Sequence, residues 1–476
     1  MHRRDFVALG AAAVAGAPRL RAPRRVERNA LWRPPELAPT DLVLRANAHA
    51  IHSGPGTTGT AMTLGDGPIG PTLRMRTGDT ATIRLQNDLA ESTILHWHGL
   101  RVPEVADGHP RLAIAPGAHY DYRFEVIDRA GTYWYHAHPH HRTGEQVYRG
   151  MTGLLLVEDA AERALELPSG PREIAVLVAD RRVDGTGEFV YDPVGHERME
   201  GTFGNVAFAN GTRDAVVDVD TALHRLRVVN VTAARITRLA LSNGAAMTLI
   251  GVDGGLLPAP VRVDHVDLAT GERADLLVDF SSVPVGETVT LRSIAFTPPY
   301  QRGMGMGGMR GGEAGAQGAA LDLLAFRVAR AVREKPWVAR PFPTIAPIDP
   351  STAVTTREFN FVSRMMSHSI NGREFDPDRM DVTVKHGTTE LWRFINPSMF
   401  PHPVHLHEAQ FQVLSRTGGR AQLFPWERGW KDTVLVYPEE TVDVIVHFDA
   451  HRGRYLMHCH NLVHEDMGMM WNYEIA

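Results

Sequence analysis

Polar and apolar residues alternate along this chain in short runs separated by turn residues. Leu73-Arg-Met-Arg76 leads through Thr77-Gly78-Asp79 into Thr80-Ala-Thr-Ile-Arg-Leu-Gln-Asn87. A period of two residues marks a half-buried strand, and a glycine between two such runs marks the turn. The alternation recurs at 120–126, 382–386, 389–396 and 441–448. Long apolar runs of helical period are scarce, and 44 glycines and 31 prolines suit many short strands. The pattern predicts an all-β chain.

The strands come in three related sets. In the first, a strand ends at Asn87, His96 follows nine residues later, and Gly131 precedes His136 by five. In the last, Asn396, His405, Gly453 and His458 stand at the same intervals. The middle third keeps the strands and loses the histidines. Asn230 is followed nine residues on by Leu239, and Gly286 leads to Leu291. Ala209-Asn210-Gly211 and Ile370-Asn371-Gly372 look like equivalent turn entries in the second and third sets. An internal repeat of this kind predicts three β-domains, the outer two binding metal and the central one a metal-free spacer.

Composition shifts set the expected boundaries. Residues 158–172 are charged, alanine-rich and broken by proline, and 331–350 carry five prolines in an extended linker. The expected organisation is an N-terminal segment at 1–37, then domains at 38–160, 161–335 and 336–476. Residues 302–318 form a glycine-rich loop holding Met304, Met306 and Met309 and no large aliphatic side chain. Thioethers prefer Cu(I) to harder ions, so these three are candidate Cu(I) contacts, with Met365 and Met366 as further soft donors.

At the start, Arg3-Arg4 precedes a short alanine-rich run to Ala17. This resembles a twin-arginine export signal ahead of a flexible segment, and predicts a periplasmic or extracellular protein. No stretch is long and apolar enough for a membrane-spanning helix. Fifty basic and 55 acidic residues leave a net charge of −5, which gives no pull toward nucleic acid. A chain of 476 residues is too long for one core.

Cysteine and histidine carry the chemistry. With one cysteine, Cys459, no disulfide can form within the chain. It lies between His458 and His460, with His464 and Met469 downstream. On a strand, His458 and His460 point to one face and Cys459 to the other, so one strand could serve two metal centres. A thiolate, imidazoles and a weak thioether make a blue-copper electron-transfer site, and Cys459, His464 and Met469 supply three such ligands. Four His-x-His pairs, 96/98, 136/138, 405/407 and 458/460, each lie in or beside a strand. Their imidazoles converge only if the outer domains pack face to face. Imidazole suits several metals, and the neighbouring cysteine favours copper.

His96-Trp-His98-Gly, Tyr135-His136-Ala-His138, His402-Pro-Val-His405-Leu-His407 and His458-Cys-His460-x3-His464-x3-Gly468-Met469 together resemble the four copper motifs of the multicopper oxidases. The resemblance covers the chain from about residue 40 to its end. It implies three cupredoxin-like Greek-key β-sandwich domains and four coppers. Type 1 copper would take His402, Cys459 and His464 with Met469 axial, and type 2 copper His96 and His405. The type 3 pair would take His98, His136 and His460 on one ion and His138, His407 and His458 on the other. Asp107 and Glu465 are implied as proton donors near that cluster. The loop at 302–318 resembles the methionine-rich loop of some bacterial laccases and cuprous oxidases. Two departures remain. Glu408 follows His407 where family members often have glycine, and Ala137 stands where serine is frequent. His140 and His141 read as non-ligands.

The implied activity is one-electron oxidation of phenols, aromatic amines or Cu(I), coupled to four-electron reduction of O₂ to water by a monomeric protein. A dedicated cuprous oxidase is the alternative. A copper nitrite reductase would need neither four His-x-His pairs nor a third domain. A non-catalytic copper-binding relative would be expected to lack ligands, and here every position is filled.

Overall fold

The computed structural model describes residues 28–298, 316–333, 337–364 and 366–476. The twin-arginine stretch, Met304, Met306, Met309 and Met365 lie outside the described residues.

Among the described residues the strands form six sheets, two for each third of the chain. In the first third, a five-stranded sheet holds Leu95–His98, Gly131–Ala137 and Thr152–Glu158, and a four-stranded sheet holds Thr80–Asn87 and His119–Glu125. Apolar residues of both sheets fill one core, with Leu73, Met75, Ala81, Ile83 and Leu85 all buried. The middle third has six- and seven-stranded sheets around their own core, including Val228, Leu239, Leu276 and Leu291. The last third has two five-stranded sheets around Trp392, Phe394, Val404 and Met457. The alternation read from sequence is therefore the division between core and solvent faces, as in Thr80–Asn87, where Ala81, Ile83 and Leu85 are buried between more exposed neighbours. Residues 331–333 and 337–349 run without regular secondary structure.

The repeated asparagine does the same work three times. Asn87 donates to the carbonyls of Glu91 and Ile114, and accepts from Leu89 N. Asn230 donates to Arg235 and Leu268 and accepts from Thr232 N. Asn396 donates to Phe400 and Val436 and accepts from Ser398 N. Each buried amide satisfies the loop that leaves the strand, where unpaired backbone groups would be costly. The paired turns agree as closely. Asn210 and Gly211 have φ of 47° and 72°, and Asn371 and Gly372 have 49° and 76°. Two consecutive left-handed residues make the tight hairpin turn that Asn-Gly favours.

Three features differ from expectation. Residues 28–37, read as part of a flexible N-terminal segment, include Asn29–Ala30, paired with Ala215–Asp220, and Glu36–Leu37, paired with Thr72–Arg76. This stretch straps the first unit to the second, and two-residue strands leave no period to read. Short helices Thr143–Arg149 and Leu462–Asp466 were not foreseen, and they pack on each other. The strand Gly453–Cys459 ends one residue before His460, because the Asn461 side chain caps the following helix by accepting from Val463 N.

Register aligns the histidine pairs. Leu95–His98 runs antiparallel to Gly131–Ala137 with His96 opposite His136. His402–Leu406 runs antiparallel to Gly453–Cys459 with His405 opposite His458. Each outer unit therefore presents four imidazoles from two neighbouring strands and the residues just past their ends.

Candidate metal centres

The first centre lies in the last unit. Cys459 Sγ is 3.4 Å from His402 Nδ1 and 3.5 Å from His464 Nδ1, and the two nitrogens are 3.2 Å apart. Three ligand atoms so close, on fully buried side chains, form a trigonal thiol and imidazole set. The other ring nitrogens are occupied. His402 Nε2 meets Ser398 Oγ at 2.8 Å, and His464 Nε2 donates to the Met199 carbonyl at 2.9 Å. Both rings are thereby held with Nδ1 toward the sulfur. Met469 is buried in the same core, and its backbone ties to both ligands through Cys459 N and His464 O.

The ligands of this centre are wholly enclosed. Helix Glu197–Glu200 of the middle unit covers it, with the Arg198 carbonyl accepting from His368 Nε2 at 2.7 Å. The buried His368 ring stacks on His464 at 4.1 Å.

The second centre lies between the outer units, where all four His-x-His pairs converge. His96 Nε2 of the first unit is 3.3 Å from His405 Nε2 of the last. His458 Nε2 is 3.2 Å from His407 Nε2 and 3.5 Å from His138 Nε2, so His138, His407 and His458 form one compact group. His98 and His136 group with His96. His460 joins by ring contact, 4.9 Å from His98 and 5.3 Å from His136 between centroids. His140 and His141 belong to no such group among the described residues; His141 Nδ1 instead meets the Asp466 carbonyl.

Outer partners fix most of these rings. His96 Nδ1 donates to the Asp107 carbonyl at 2.7 Å, and His407 Nδ1 meets the Asp107 carboxylate at 2.8 Å. His405 Nδ1 donates to the Asp432 carbonyl at 2.9 Å. Each leaves Nε2 facing the centre. His98 is turned the other way, its Nε2 on Asp432 Oδ1 at 3.1 Å and its buried Nδ1 without a partner. His136 Nε2 and both His460 nitrogens are also buried and unpartnered.

These atoms fit a bound cation. Burial holds the rings of His98, His136, His138, His402, His407, His460 and His464 well below the usual imidazole range. Burial likewise lowers His405 to about 4 and His458 to about 3. Neutral imidazoles have the lone pair a metal needs, and an unpartnered lone pair in a dry interior is costly. Burial pushes the Cys459 thiol up, so a thiolate there requires a cation beside it. A soft thiolate with imidazoles, beside an all-imidazole cluster, is a copper donor set.

The two carboxylates singled out from sequence both lie at the cluster, fully buried. Asp107 bridges His96 and His407, while Glu465 Oε2 is 3.2 Å from His458 Nδ1 and Oε1 is 3.5 Å from His138 Nε2. Burial raises the Glu465 carboxyl above its ordinary range. Glu408, at the glycine position, has φ of 59°, the left-handed backbone that glycine adopts freely. Its carboxylate accepts from His451 N at 2.7 Å, which anchors the unusual residue.

Asp432, Ser398, Asn461 and His368 were missed from sequence. Asp432 stands in Lys431-Asp432-Thr433 with no motif around it, and its partner His98 is 334 residues away. The Ser398 signal was local, two residues after the repeated Asn396 and four before His402.

Multicopper oxidase family models match three successive stretches, residues 47–162, 196–288 and 346–476. The chain is 30% identical over 416 residues to a multicopper oxidase of Staphylococcus haemolyticus, covering 86% of this chain and 82% of that protein. It is 28% identical to a laccase of Bacillus subtilis, covering 86% and 88%. It is also 31% identical to the cell division protein FtsP of Escherichia coli, covering 94% and 92%. Among solved structures it is similar to the McoA multicopper oxidase of Aquifex aeolicus, with a TM-score of 0.85 and 32% identity over 94% of this chain and all of that one. The three β-units are thus cupredoxin-type domains, matched in order and along nearly the whole chain, and the protein belongs to the multicopper oxidase family.

Proposed function

We propose that this copper oxidoreductase is laccase-like in its chemistry. It takes electrons singly from a phenol, an aromatic amine or Cu(I) at the Cys459 centre and delivers them to O₂ at the histidine cluster, with water as product. The observation that carries this reading is the shared segment His458-Cys459-His460 at the end of the strand Gly453–Cys459. Cys459 belongs to the buried thiol centre, while His458 and His460, one peptide unit to either side, face the cluster. Copper supplies the one-electron redox chemistry and the coordination positions for O₂.

His402, Cys459, His464 and Met469 hold type 1 copper in this reading, and His96 and His405 hold type 2. His98, His136 and His460 serve one type 3 ion, and His138, His407 and His458 the other, which makes four coppers in a monomer. The contacts of His138, His407 and His458 support the last set most directly. Asp107 orients His96 and His407, and Glu465, beside His138 and His458, delivers protons to the oxygen side.

The enclosure of His464 favours one narrower reading, a cuprous oxidase. With Met199 O on its outer nitrogen, the ring cannot touch a bulky aromatic, and electrons must cross the cover formed by Glu197–Glu200. The discriminating assay is turnover of Cu(I) against a phenol, with and without residues 302–318 and with Met304, Met306 and Met309 all changed to leucine. A fall in the ratio of Cu(I) to phenol turnover in the loop variants supports Cu(I) delivery by the loop. An unchanged ratio rejects Cu(I) delivery by the loop. We further propose export through Arg3-Arg4, tested by whether Arg3→Lys with Arg4→Lys retains the protein in the cytoplasm.

A further inference from the structure

The middle domain contributes no histidine to the cluster, yet it reaches the cluster at one turn. Gly271, Glu272 and Arg273 lead into the strand Arg273–Asp279. Gly271 has φ of +90°, and a methyl group there would lie 3.0 Å from His98 Cε1 and 3.1 Å from His460 Cδ2. The backbone of the middle domain therefore lies directly against two rings of the cluster.

Arg273, next but one, is fully buried and uses all five of its guanidinium donors. Nε donates to Thr132 O of the first domain at 3.0 Å. Nη1 donates to Gly271 O at 3.0 Å and to Asp432 Oδ1 at 2.7 Å. Nη2 donates to Asp253 O at 2.8 Å and to Asp432 Oδ2 at 2.5 Å. Asp432 belongs to the last domain, and it is the residue whose carboxylate holds His98 and whose carbonyl holds His405. Beside it, Lys431 Nζ binds Asp253 Oδ2 at 2.8 Å and Glu272 Oε1 at 2.9 Å. All three domains meet at this fork.

We propose that Arg273 is a positioning residue for the histidine cluster, acting through Asp432. By clamping both oxygens of Asp432 it directs one of them at His98 Nε2, so that His98 turns Nδ1 inward. The same clamp sets the Asp432 carbonyl that turns His405 Nε2 inward. Docking of the middle domain and assembly of the cluster are then one event. A lysine has the charge but not the planar fork, and it cannot make these bonds together. The inference rests on the ligand assignment above.

The test uses the full copper-loaded protein. Arg273→Lys is compared with Arg416→Lys, which also removes a buried arginine paired with two carboxylates, Glu427 and Glu440, but touches no ligand. Losing an outer partner of a ligand histidine typically weakens metal binding about 10–100-fold. Arg273→Lys is therefore expected to give up cluster copper at a chelator concentration lower by that factor. Its type 2 electron-spin signal should fall while the blue band of the Cys459 centre remains, with KM for the reductant unchanged and kcat reduced. Arg416→Lys should keep both signals. If Arg273→Lys does not fold, Asp432→Asn reports on the same link. Retention of cluster copper and the type 2 signal in the Arg273 or Asp432 variant overturns the proposal, as does equal loss in Arg416→Lys. His98→Ala and His405→Ala, run in parallel, separate the premise from the inference. If they too keep full cluster copper, the ligand assignment has failed.

Discussion

At the scale of single residues, Cys459 is central: its sulfur lies 3.4 Å and 3.5 Å from the Nδ1 atoms of His402 and His464. Cys459→Ser should leave a folded protein without a blue band and without oxidase turnover, because a hydroxyl cannot supply the thiolate bond. Visible absorption and circular dichroism on the same sample check both halves of that statement. If Met469 is the weak axial ligand proposed, Met469→Leu should keep the colour and raise the reduction potential, since losing that ligand favours Cu(I). A redox titration measures it. Glu465→Gln removes the carboxyl beside His138 and His458 that we propose as the proton donor, and touches no ligand of the Cys459 centre. Stopped-flow should find anaerobic bleaching by substrate near the wild-type rate and reoxidation by O₂ slowed; slowed bleaching would move Glu465 to the substrate side. Cys459, His464 and Met469 were legible because their spacing is local: strand alternation separates Cys459 from its flanking histidines within three positions, whereas His402 and Glu465 were reached only through the family resemblance. Asp432, His368 and Arg273 were not legible, because each acts on a side chain far away in sequence and no local pattern marks a partner that only folding brings near.

At the scale of elements the repeated asparagine is the clearest device. Each amide satisfies two carbonyls and one backbone N–H of the loop behind its strand, so replacing it by alanine should cost about 1–3 kcal/mol through the groups left unpaired. Thermal unfolding of Asn230→Ala and Asn396→Ala measures this. The two variants should differ in colour. Asn396 also accepts from Ser398 Oγ at 2.6 Å, and Ser398 meets His402. Asn396→Ala should therefore shift the blue band, while Asn230→Ala should leave it unchanged. The repeat could be read from sequence because pleating forces the period of two and each Asn ends or directly follows its strand. The short elements could not. Asn29–Ala30 is only two residues long and takes its form from the strand it pairs with, and Leu462–Asp466 is too brief to show a helical period.

For the whole molecule, the cluster is an interface as well as a site. His96, His98, His136 and His138 come from the first domain, and His405, His407, His458 and His460 from the last. A metal that binds only the native arrangement stabilises it by mass action, so copper-loaded protein should melt above the apo form. His405→Ala should remove much of that difference while leaving the melting of the apo protein nearly unchanged. Differential scanning calorimetry of the four samples tests the clamp. The central claim is that electrons entering at Cys459 leave as water at the histidine cluster. Its most direct test is the stoichiometry of O₂ uptake during turnover of the copper-loaded protein, with peroxide assayed in the same cell. Four reducing equivalents should be consumed per O₂, with no accumulating peroxide. Two equivalents per O₂ with matching peroxide, or reductant oxidised without O₂ uptake, would contradict it.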